Sequence, residues 1–462
     1  MKTAAVILAA GEGKRMKSSL PKVLHRISGE TMLGAVIDTA RRIRPERIVV
    51  VAGKHLARMR DAVGTSVGSG GVSFALQAEP LGTGHAVMSA LPALEGFRGD
   101  LVVMNGDTPL VRAETLRRLI QMHRRRKNDL TVLSFIAQKP EAYGRVVRDP
   151  AGNVSAIVEE KDADGEQKKI AEVNSGVYVF GTAALRLLEA IPVNPLTKEY
   201  YLTDVVSLAG RQGLRAAACC IGEEEEFMGV NTRAELIRAT GLMRKRIIAG
   251  LVAKGVGFID PEAVYIDHGV SVGAETVIYP NVCLEGSTTV GSGTVIYPNV
   301  RIKDSRIGHN VIVRDSTVVE GSEISDAAVV GPFAHIRPGS VVGREARIGN
   351  FVELKKTVVG RASKASHLSY LGDAKIGRGV NIGAGTITCN YDGVNKHLTV
   401  IEDRVFIGSD SQLVAPVRIG KGAYVGAGST ITRDVPKEAL AVSRVAQKHV
   451  PDWAKKRKKK KP

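Results

Sequence analysis

The stretch IDHGVSVGAETVIYPNVCLEGSTTVGSGTVIYPNVRI, residues 266–302, carries an aliphatic side chain at every sixth position: Ile266, Val272, Ile278, Leu284, Val290, Ile296 and Ile302. The register resumes at Val330, Ile336, Val342, Ile348 and Leu354, then at Ile376 and Ile382, and finally at Ile407, Leu413, Ile419, Val425 and Ile431. A hexapeptide period predicts a parallel β-helix. Each aliphatic side chain points inward from a short strand, small residues turn the corners, and coils stack at the strand spacing of about 4.8 Å. One repeat cannot bury its face alone, so the array is cooperative along its axis. The register lapses near residues 360–371 and at 389–398. Loops that leave a rigid solenoid tend to carry function, and these two segments hold His367, Tyr370, Asn390 and Tyr391; a harmless insertion is the alternative.

Upstream of the repeats the pattern changes. Short apolar runs at 4–9, 48–51, 101–104, 130–135 and 177–180 alternate with amphipathic stretches such as 32–43 and 113–124. This alternation predicts an α/β Rossmann-like domain with a largely parallel sheet. Thr232 and Glu235 form a capping box ahead of Leu236, Met243, Ile247 and Leu251, and Gly255 suits a helix stop. The expected organisation is an α/β domain at 1–231, a linking helix at 232–255, a β-helix at 256–440 and a tail at 441–462 with a disordered Lys-rich end.

Length and composition fit this plan. The chain has 462 residues, 44% apolar and 24% charged, with 50 Gly and only 4% aromatic residues. That bias suits tight turns and small interior side chains, and it excludes single-strand binding by base stacking, which needs aromatic platforms. The net charge of +18 includes the run KKRKKKK at 455–461. The run reads as a solvated tail ahead of a nucleic-acid contact, because nothing aromatic interrupts it. The remaining excess suits anionic small substrates. Cys219, Cys220, Cys283 and Cys389 form no C-x-x-C pair, which argues against zinc or redox motifs and for a reducing compartment. The apolar stretch at 4–10 is too short for a signal peptide, and no long apolar run occurs elsewhere. The expectation is a cytoplasmic protein without a membrane span and without a specific nucleic-acid partner.

The strand-to-loop segment AVILAAGEGKRM, residues 5–16, places Gly11 and Gly13 where backbone amides can cradle phosphate. The dinucleotide fingerprint and the P-loop both require Gly where Met16 stands, which leaves a nucleotidyltransferase loop. The run Leu8-Ala9-Ala10-Gly11-Glu12-Gly13-Lys14-Arg15-Met16 with Pro21-Lys22 closely resembles the signature of sugar-1-phosphate nucleotidyltransferases. Further matches follow in order: Gln77 with Pro80-Leu81-Gly82-Thr83-Gly84, Asn105-Gly106-Asp107, Tyr143-Gly144-Arg145, the Glu159–Asp162 segment, Asn174-Ser175-Gly176, Glu199-Tyr200-Tyr201 and Gly229-Val230-Asn231. Asp107 ends the apolar run LVVMNGD, where open α/β sheets place ligands, and its hard oxygen suits Mg²⁺. The resemblance implies Asn231 as the second ligand and Arg15 and Lys22 as phosphate-binding catalytic cations. It further implies a UTP and UDP-sugar site at Leu8, Ala9, Ala10, Gly11, Lys22, Gln77, Gly82, Thr83, Gly144, Glu159, Asn174 and Asn231. Lys14 departs from the usual Thr, and Asn105 from the Tyr of some relatives.

Residues 350–356, 367–373 and 381–393 resemble a narrower family. It is that of bacterial bifunctional N-acetylglucosamine-1-phosphate uridyltransferases and glucosamine-1-phosphate N-acetyltransferases, whose β-helix is left-handed and whose assembly is a homotrimer. Acyl transfer to an amine needs a base, and His367 has the right chemistry, although a lone His is more often structural. The resemblance places the sugar phosphate at Arg337, Lys355, Tyr370 and Asn381. It places acetyl-CoA at Ala384, Asn390, Tyr391, Ser409, Ala427 and Arg444. Glu353 is the expected orienting partner of His367. The implied activity is acetylation of glucosamine 1-phosphate, then UMP transfer from UTP. Two rivals remain open: a nucleotidyltransferase whose β-helix only assembles or regulates, and a non-catalytic exchange-factor-like protein.

Overall fold

In the computed structural model of the chain, which describes residues 1–66 and 71–458, the five apolar runs of the first half become the strands Thr3–Leu8, Arg47–Ala52, Asp100–Asn105, Leu130–Ile136 and Glu172–Phe180. Val72–Leu76 and Ala216–Cys220 extend the sheet at its two edges, and Arg145–Arg148 with Val154–Val158 adds a hairpin. The amphipathic stretches form the helices Met32–Arg42 and Ala113–Arg125. The first begins where Thr31 accepts a hydrogen bond from the Gly34 amide, and it turns Leu33, Val36, Ile37 and Ala40 into the core.

The sheet is mixed. Thr3–Leu8 pairs in parallel with Arg47–Ala52 and Asp100–Asn105, but Glu172–Phe180 runs antiparallel to both Asp100–Asn105 and Leu130–Ile136. A largely parallel sheet was the expectation. An apolar run buried on both faces does not encode its own direction, so the inserted antiparallel strand was not legible. The three parallel strands end together, with Leu8 level with Asn105 and Val51, and their carboxyl ends open the crevice that holds the first candidate site.

The capping box forms: the Glu235 amide donates to Thr232 Oγ1 at 3.2 Å, and the Thr232 amide to Glu235 Oε2 at 2.8 Å. The helix runs Arg233–Val252, with Gly255 at φ 87° beyond it. The chain divides into two compact units, Met1–Arg244 and Lys245–Pro462, with the division inside this helix.

The second unit is a stack of parallel coils with three columns of short strands. One column carries Ile266, Leu284, Ile302, Val319, Ile336, Leu354 and Leu371 inward. The second carries Val272, Val290, Ile307, Ile324, Val342, Val359 and Ile376. The third carries Ile278, Ile296, Val313, Val330, Ile348, Ala365 and Ile382. Two apparent gaps in the hexad thus disappear. The steps from Ile302 to Ile307, Val319 to Ile324, Leu354 to Val359 and Leu371 to Ile376 are five residues long. Ala365 occupies an inward position where a larger aliphatic was sought. No loop leaves the solenoid at 360–371, where Lys364–Gly372 is one unbroken strand. The lapse at 389–398 is a true excursion, with Tyr391 bridging to Lys396 across it.

Glycines and threonines set the coil spacing. A Cβ on Gly343 would lie 2.7 Å from the Val359 carbonyl oxygen of the next coil, and one on Gly360 only 2.3 Å from that of Gly377. Buried Thr276 donates to the Gly291 carbonyl at 2.8 Å and accepts from the Thr294 amide at 3.3 Å; Thr294 repeats the pattern with Gly308 and Val311. These hydroxyls stitch one coil to the next, whereas those of Thr317 and Thr399 are buried without a hydrogen-bond partner among the described residues. Residues 442–457 are exposed and include most of the short helix Trp453–Lys458; the expected disorder of the Lys-rich end falls largely on 459–462, which lie outside the described residues. Among the described residues no helix is long and apolar enough to cross a membrane.

Two candidate active sites

The first site is a cleft of about 500 Å³ at the carboxyl ends of the parallel strands. Leu8, Ala9, Ala10, Gly11, Lys22, Gln77, Gly82, Thr83 and Glu159 line it, together with Asp107. At its floor the Lys22 ammonium donates to Asp107 Oδ2 at 2.5 Å and to Asn231 Oδ1 at 2.8 Å. Two hard oxygens from distant segments therefore converge on one cation, the arrangement a Mg²⁺ site with few protein ligands requires. Gly13 permits this approach, since a Cβ there would sit 2.6 Å from Lys22 Cβ and its φ is +66°.

Gly144 and Asn174 lie beside Glu159, which alone of the three lines the cleft. The Asn174 amide donates to the Gly144 carbonyl at 2.8 Å, and Asn174 Nδ2 to the Tyr178 hydroxyl at 2.8 Å. Thr203 Oγ1 donates to Glu159 Oε1 at 3.0 Å, while burial pushes the Glu159 carboxyl above its usual range. Lys161, Glu199 and Tyr201 also face the cleft. They lie in motifs quoted above, but nothing in their types singled them out. Arg15 is not brought in: it stands exposed on the turn Lys14–Met16, away from the cleft lining. Lys14 pairs with Glu12, which Lys54 also holds, both at 2.8 Å; the two ammonium groups hold the Glu12 carboxyl down at about 2. Among the described residues no cluster of three or more His, Cys, Asp or Glu side chains is arranged for a metal.

The second site lies on the solenoid, where Arg347–Lys355 and Lys364–Gly372 run side by side. His367 is exposed, and its Nδ1 lies 2.8 Å from Asn350 Oδ1. An amide oxygen only accepts, so Nδ1 carries the proton and Nε2 is left with a free lone pair. Glu353 is not the orienting partner; it accepts from Arg337 Nη1 at 2.8 Å. Asn350 was overlooked, although it stands 17 residues before His367, one coil of the solenoid. The same separation joins Asn390 Nδ2 to Asp373 Oδ2.

Arg337, Glu353 and Tyr370 rise through successive coils, with Glu353 level with Tyr370 and Lys355 level with Gly372. Lys396, which the sequence reading did not single out, reaches the same corner from the excursion. The Lys355 ammonium beside it pulls the Lys396 amine below the usual lysine range. Asn381 lies elsewhere, paired with Lys364 and Phe406 on another face.

The residues expected at acetyl-CoA divide into two groups. Asp410 donates to the Ala384 carbonyl, Gly428 to that of Ser409, and Arg444 Nη1 to that of Ala427, so Ala384, Ser409, Ala427 and Arg444 climb one edge. Asn390 and Tyr391 belong instead to the excursion. Asn390 is buried beside Tyr370 and Gly372, and Tyr391 is exposed with its hydroxyl turned to the Gly393 carbonyl.

Comparison with known proteins places both units. Residues 5–191 match the model of the MobA-like NTP transferase domain, residues 261–359 that of the GMPPB C-terminal domain, and residues 398–433 that of the bacterial transferase hexapeptide (six repeats). The chain is 48% identical to the bifunctional protein GlmU of Thermodesulfovibrio yellowstonii over 98% of this chain and 99% of that one. It is 48% identical to the protein of that name from Pelobacter propionicus, over 99% of each. The corresponding figures for Halalkalibacterium halodurans are 47% identity over 96% of each.

Proposed function

The chain belongs to the GlmU family of bifunctional proteins, and from that premise we propose which of its residues carry each of the two reactions. The enzyme acetylates glucosamine 1-phosphate with acetyl-CoA and transfers UMP from UTP to N-acetylglucosamine 1-phosphate, yielding UDP-N-acetylglucosamine for cell-wall synthesis and pyrophosphate. One observation carries the division of labour: each compact unit assembles its own set of reactive groups, Lys22–Asp107–Asn231 in the first and Asn350–His367 in the second.

In the first unit Asp107 and Asn231 would hold Mg²⁺, which when bound neutralises charge on the triphosphate. Lys22 pairs with phosphate oxygens, and Arg15 joins it only by moving from its exposed turn. Gln77, Gly82 and Thr83 meet the base, and Gly144, Glu159 and Asn174 meet the sugar. A phosphate oxygen of the sugar attacks the α-phosphorus and pyrophosphate leaves. Positioning and charge neutralisation dominate such a transfer.

In the second unit the amine of glucosamine 1-phosphate attacks the thioester carbonyl. The N–C bond forms, the C–S bond breaks, and His367 Nε2 takes the proton that the attacking nitrogen loses and hands it to the departing sulfur, so that coenzyme A leaves as a thiol. Arg337, Lys355, Lys396 and Tyr370 hold the phosphate and sugar, and the edge from Ala384 to Arg444 holds acetyl-CoA. We propose a homotrimer. Support comes from the stacked Phe333 and Phe351, ring centroids 5.5 Å apart, with Leu368 next to His367, all three more than half exposed. We also propose a cytoplasmic location, supported by four cysteines that are all free thiols.

The test incubates the protein with glucosamine 1-phosphate, acetyl-CoA, UTP and Mg²⁺ and identifies products by mass. Free thiol, pyrophosphate and UDP-N-acetylglucosamine should all appear. Absence of thiol above background removes the second site, and absence of pyrophosphate removes the first.

A further inference from the structure

Among the groups gathered at the sugar-phosphate corner, Arg337, Lys355 and Tyr370 stand on or beside stacked strands, whereas Lys396 stands on the excursion between Cys389 and Thr399. Its position there works against its own charge. The Lys355 ammonium beside it pulls the Lys396 amine below the usual lysine range, against the opposite pull of Asp373. Repulsion between two ammonium groups would swing Lys396 out into solvent unless the chain on either side of it were tied down.

Both neighbours are tied, and to the same carboxylate. The Asn395 amide donates to Asp392 Oδ1 at 2.6 Å, and His397 Nε2 donates to Asp392 Oδ2 at 2.6 Å. An ionised carboxylate only accepts, so the shared proton sits on Nε2 whether the imidazole is neutral or charged. The Val394 amide gives Asp392 Oδ1 a second bond at 2.8 Å. The base of the excursion is closed as well. The His397 amide donates to the Asn390 carbonyl at 2.8 Å, and Asn390 Nδ2 in turn donates to Asp373 Oδ2. Tyr391 pairs with Lys396 across the gap.

We propose that Asp392 and His397 are positioning residues for acetyl transfer: one carboxylate grips the residues before and after Lys396 and holds that side chain against Lys355, so that both ammonium groups meet the phosphate of glucosamine 1-phosphate. This rests on reading the corner as the sugar-phosphate site. A bound phosphate turns the repulsion of the two lysines into two attractions. Because the clamp forms beforehand, binding does not have to order the excursion. Nε2 donates in either charge state of the ring, so the clamp persists through neutral pH.

The test measures acetyl transfer by thiol release in the full-length enzyme. His397→Phe keeps a flat ring and removes the donor, and His397→Gln restores a side-chain N–H. His397→Phe should raise KM for glucosamine 1-phosphate about 3–10-fold, the worth of one hydrogen bond, with kcat at saturating substrate little changed. His397→Gln should recover most of that rise. With Lys396→Met already in place, His397→Phe should add nothing further, because the clamp acts through Lys396. An unchanged KM in His397→Phe overturns the proposal, as does a fall in kcat alone or a rise of the same size in the Lys396→Met background. Lys396→Met by itself separates the two levels. If it leaves KM for glucosamine 1-phosphate unaltered, the phosphate does not sit at Lys396 and the reading of the corner fails. If it raises KM while His397→Phe does not, only the clamp falls.

Discussion

His367 and Asn350 meet because one coil of the solenoid separates them, and each contributes a different amount to acetyl transfer. His367→Ala should lower the rate of free-thiol release by about 10²–10⁴-fold, the range of a general base. Asn350→Ala should lower it only about 3–10-fold, the worth of one hydrogen bond that fixes a tautomer. Uridyl transfer should be untouched in both. Asp107→Ala should reduce pyrophosphate release by about 10²–10³-fold and leave thiol release intact, and a loss of both activities in that variant would refute independent sites. Glu159 supplies a pH dependence. Burial raises its folded pKa above the unfolded value. Its ionised form therefore costs stability at neutral pH, and that cost is relieved as pH falls through the folded pKa. If Glu159 binds the sugar as a carboxylate, KM for N-acetylglucosamine 1-phosphate should climb as pH drops toward the upper carboxylate range. Glu159→Gln should flatten that climb.

A coil tolerates substitution only where the next coil leaves room. A Cβ on Gly349 would lie 1.9 Å from the Ser366 carbonyl oxygen, one residue before Asn350 and His367 in the two paired strands. Gly349→Ala should therefore destabilise the solenoid by about 1–3 kcal/mol through overpacking and depress acetyl transfer. Uridyl transfer in the same preparation should survive, and calorimetry alongside the two assays tests this. The excursion at 389–398 is held differently. Amide donation from Asn395, then pairing with His397 and the Val394 amide, keeps the Asp392 carboxyl well below its usual range. A depressed folded pKa stabilises above the unfolded value and is lost as pH falls through the folded one. The excursion should therefore loosen only in strong acid, which hydrogen exchange of its amides would read. The hexad announced this element, but the five-residue steps hid part of it. A shortened corner changes the spacing without changing which side chains point inward, and Ala365 fills its place without an aliphatic signal.

Two activities on separate units predict complementation. A mixture of Asp107→Ala and His367→Ala enzymes should complete the two-step synthesis from glucosamine 1-phosphate, because each supplies the site the other lacks; failure of well-folded variants to do so would require coupled sites. Light scattering should give about three times the 49.2 kDa chain mass. Phe351→Glu, which puts a charge on the exposed aromatic ladder, should lower that mass and leave pyrophosphate release intact. At this scale the family and both reactions were legible in ordered motifs from Leu8 to Asn231 and from Asn350 to Gly393. The partition of the acetyl-CoA residues was not, since Asn390 and Ala384 are near in sequence yet sit on different edges of the stack.

Sequence alone determined the period, the helix cap at Thr232 and Glu235, and the residue types able to hold phosphate, metal and a proton. These are properties of short stretches, and each can be read within a few positions. The tertiary structure decided the partners: Lys22 with Asp107 across 85 residues and with Asn231 across 209, Asn350 in place of Glu353 beside His367, Arg15 outside the cleft, and the reversed strand Glu172–Phe180 between two parallel ones. Those contacts depend on how strands are ordered and coils closed, and packing of the whole chain sets that order.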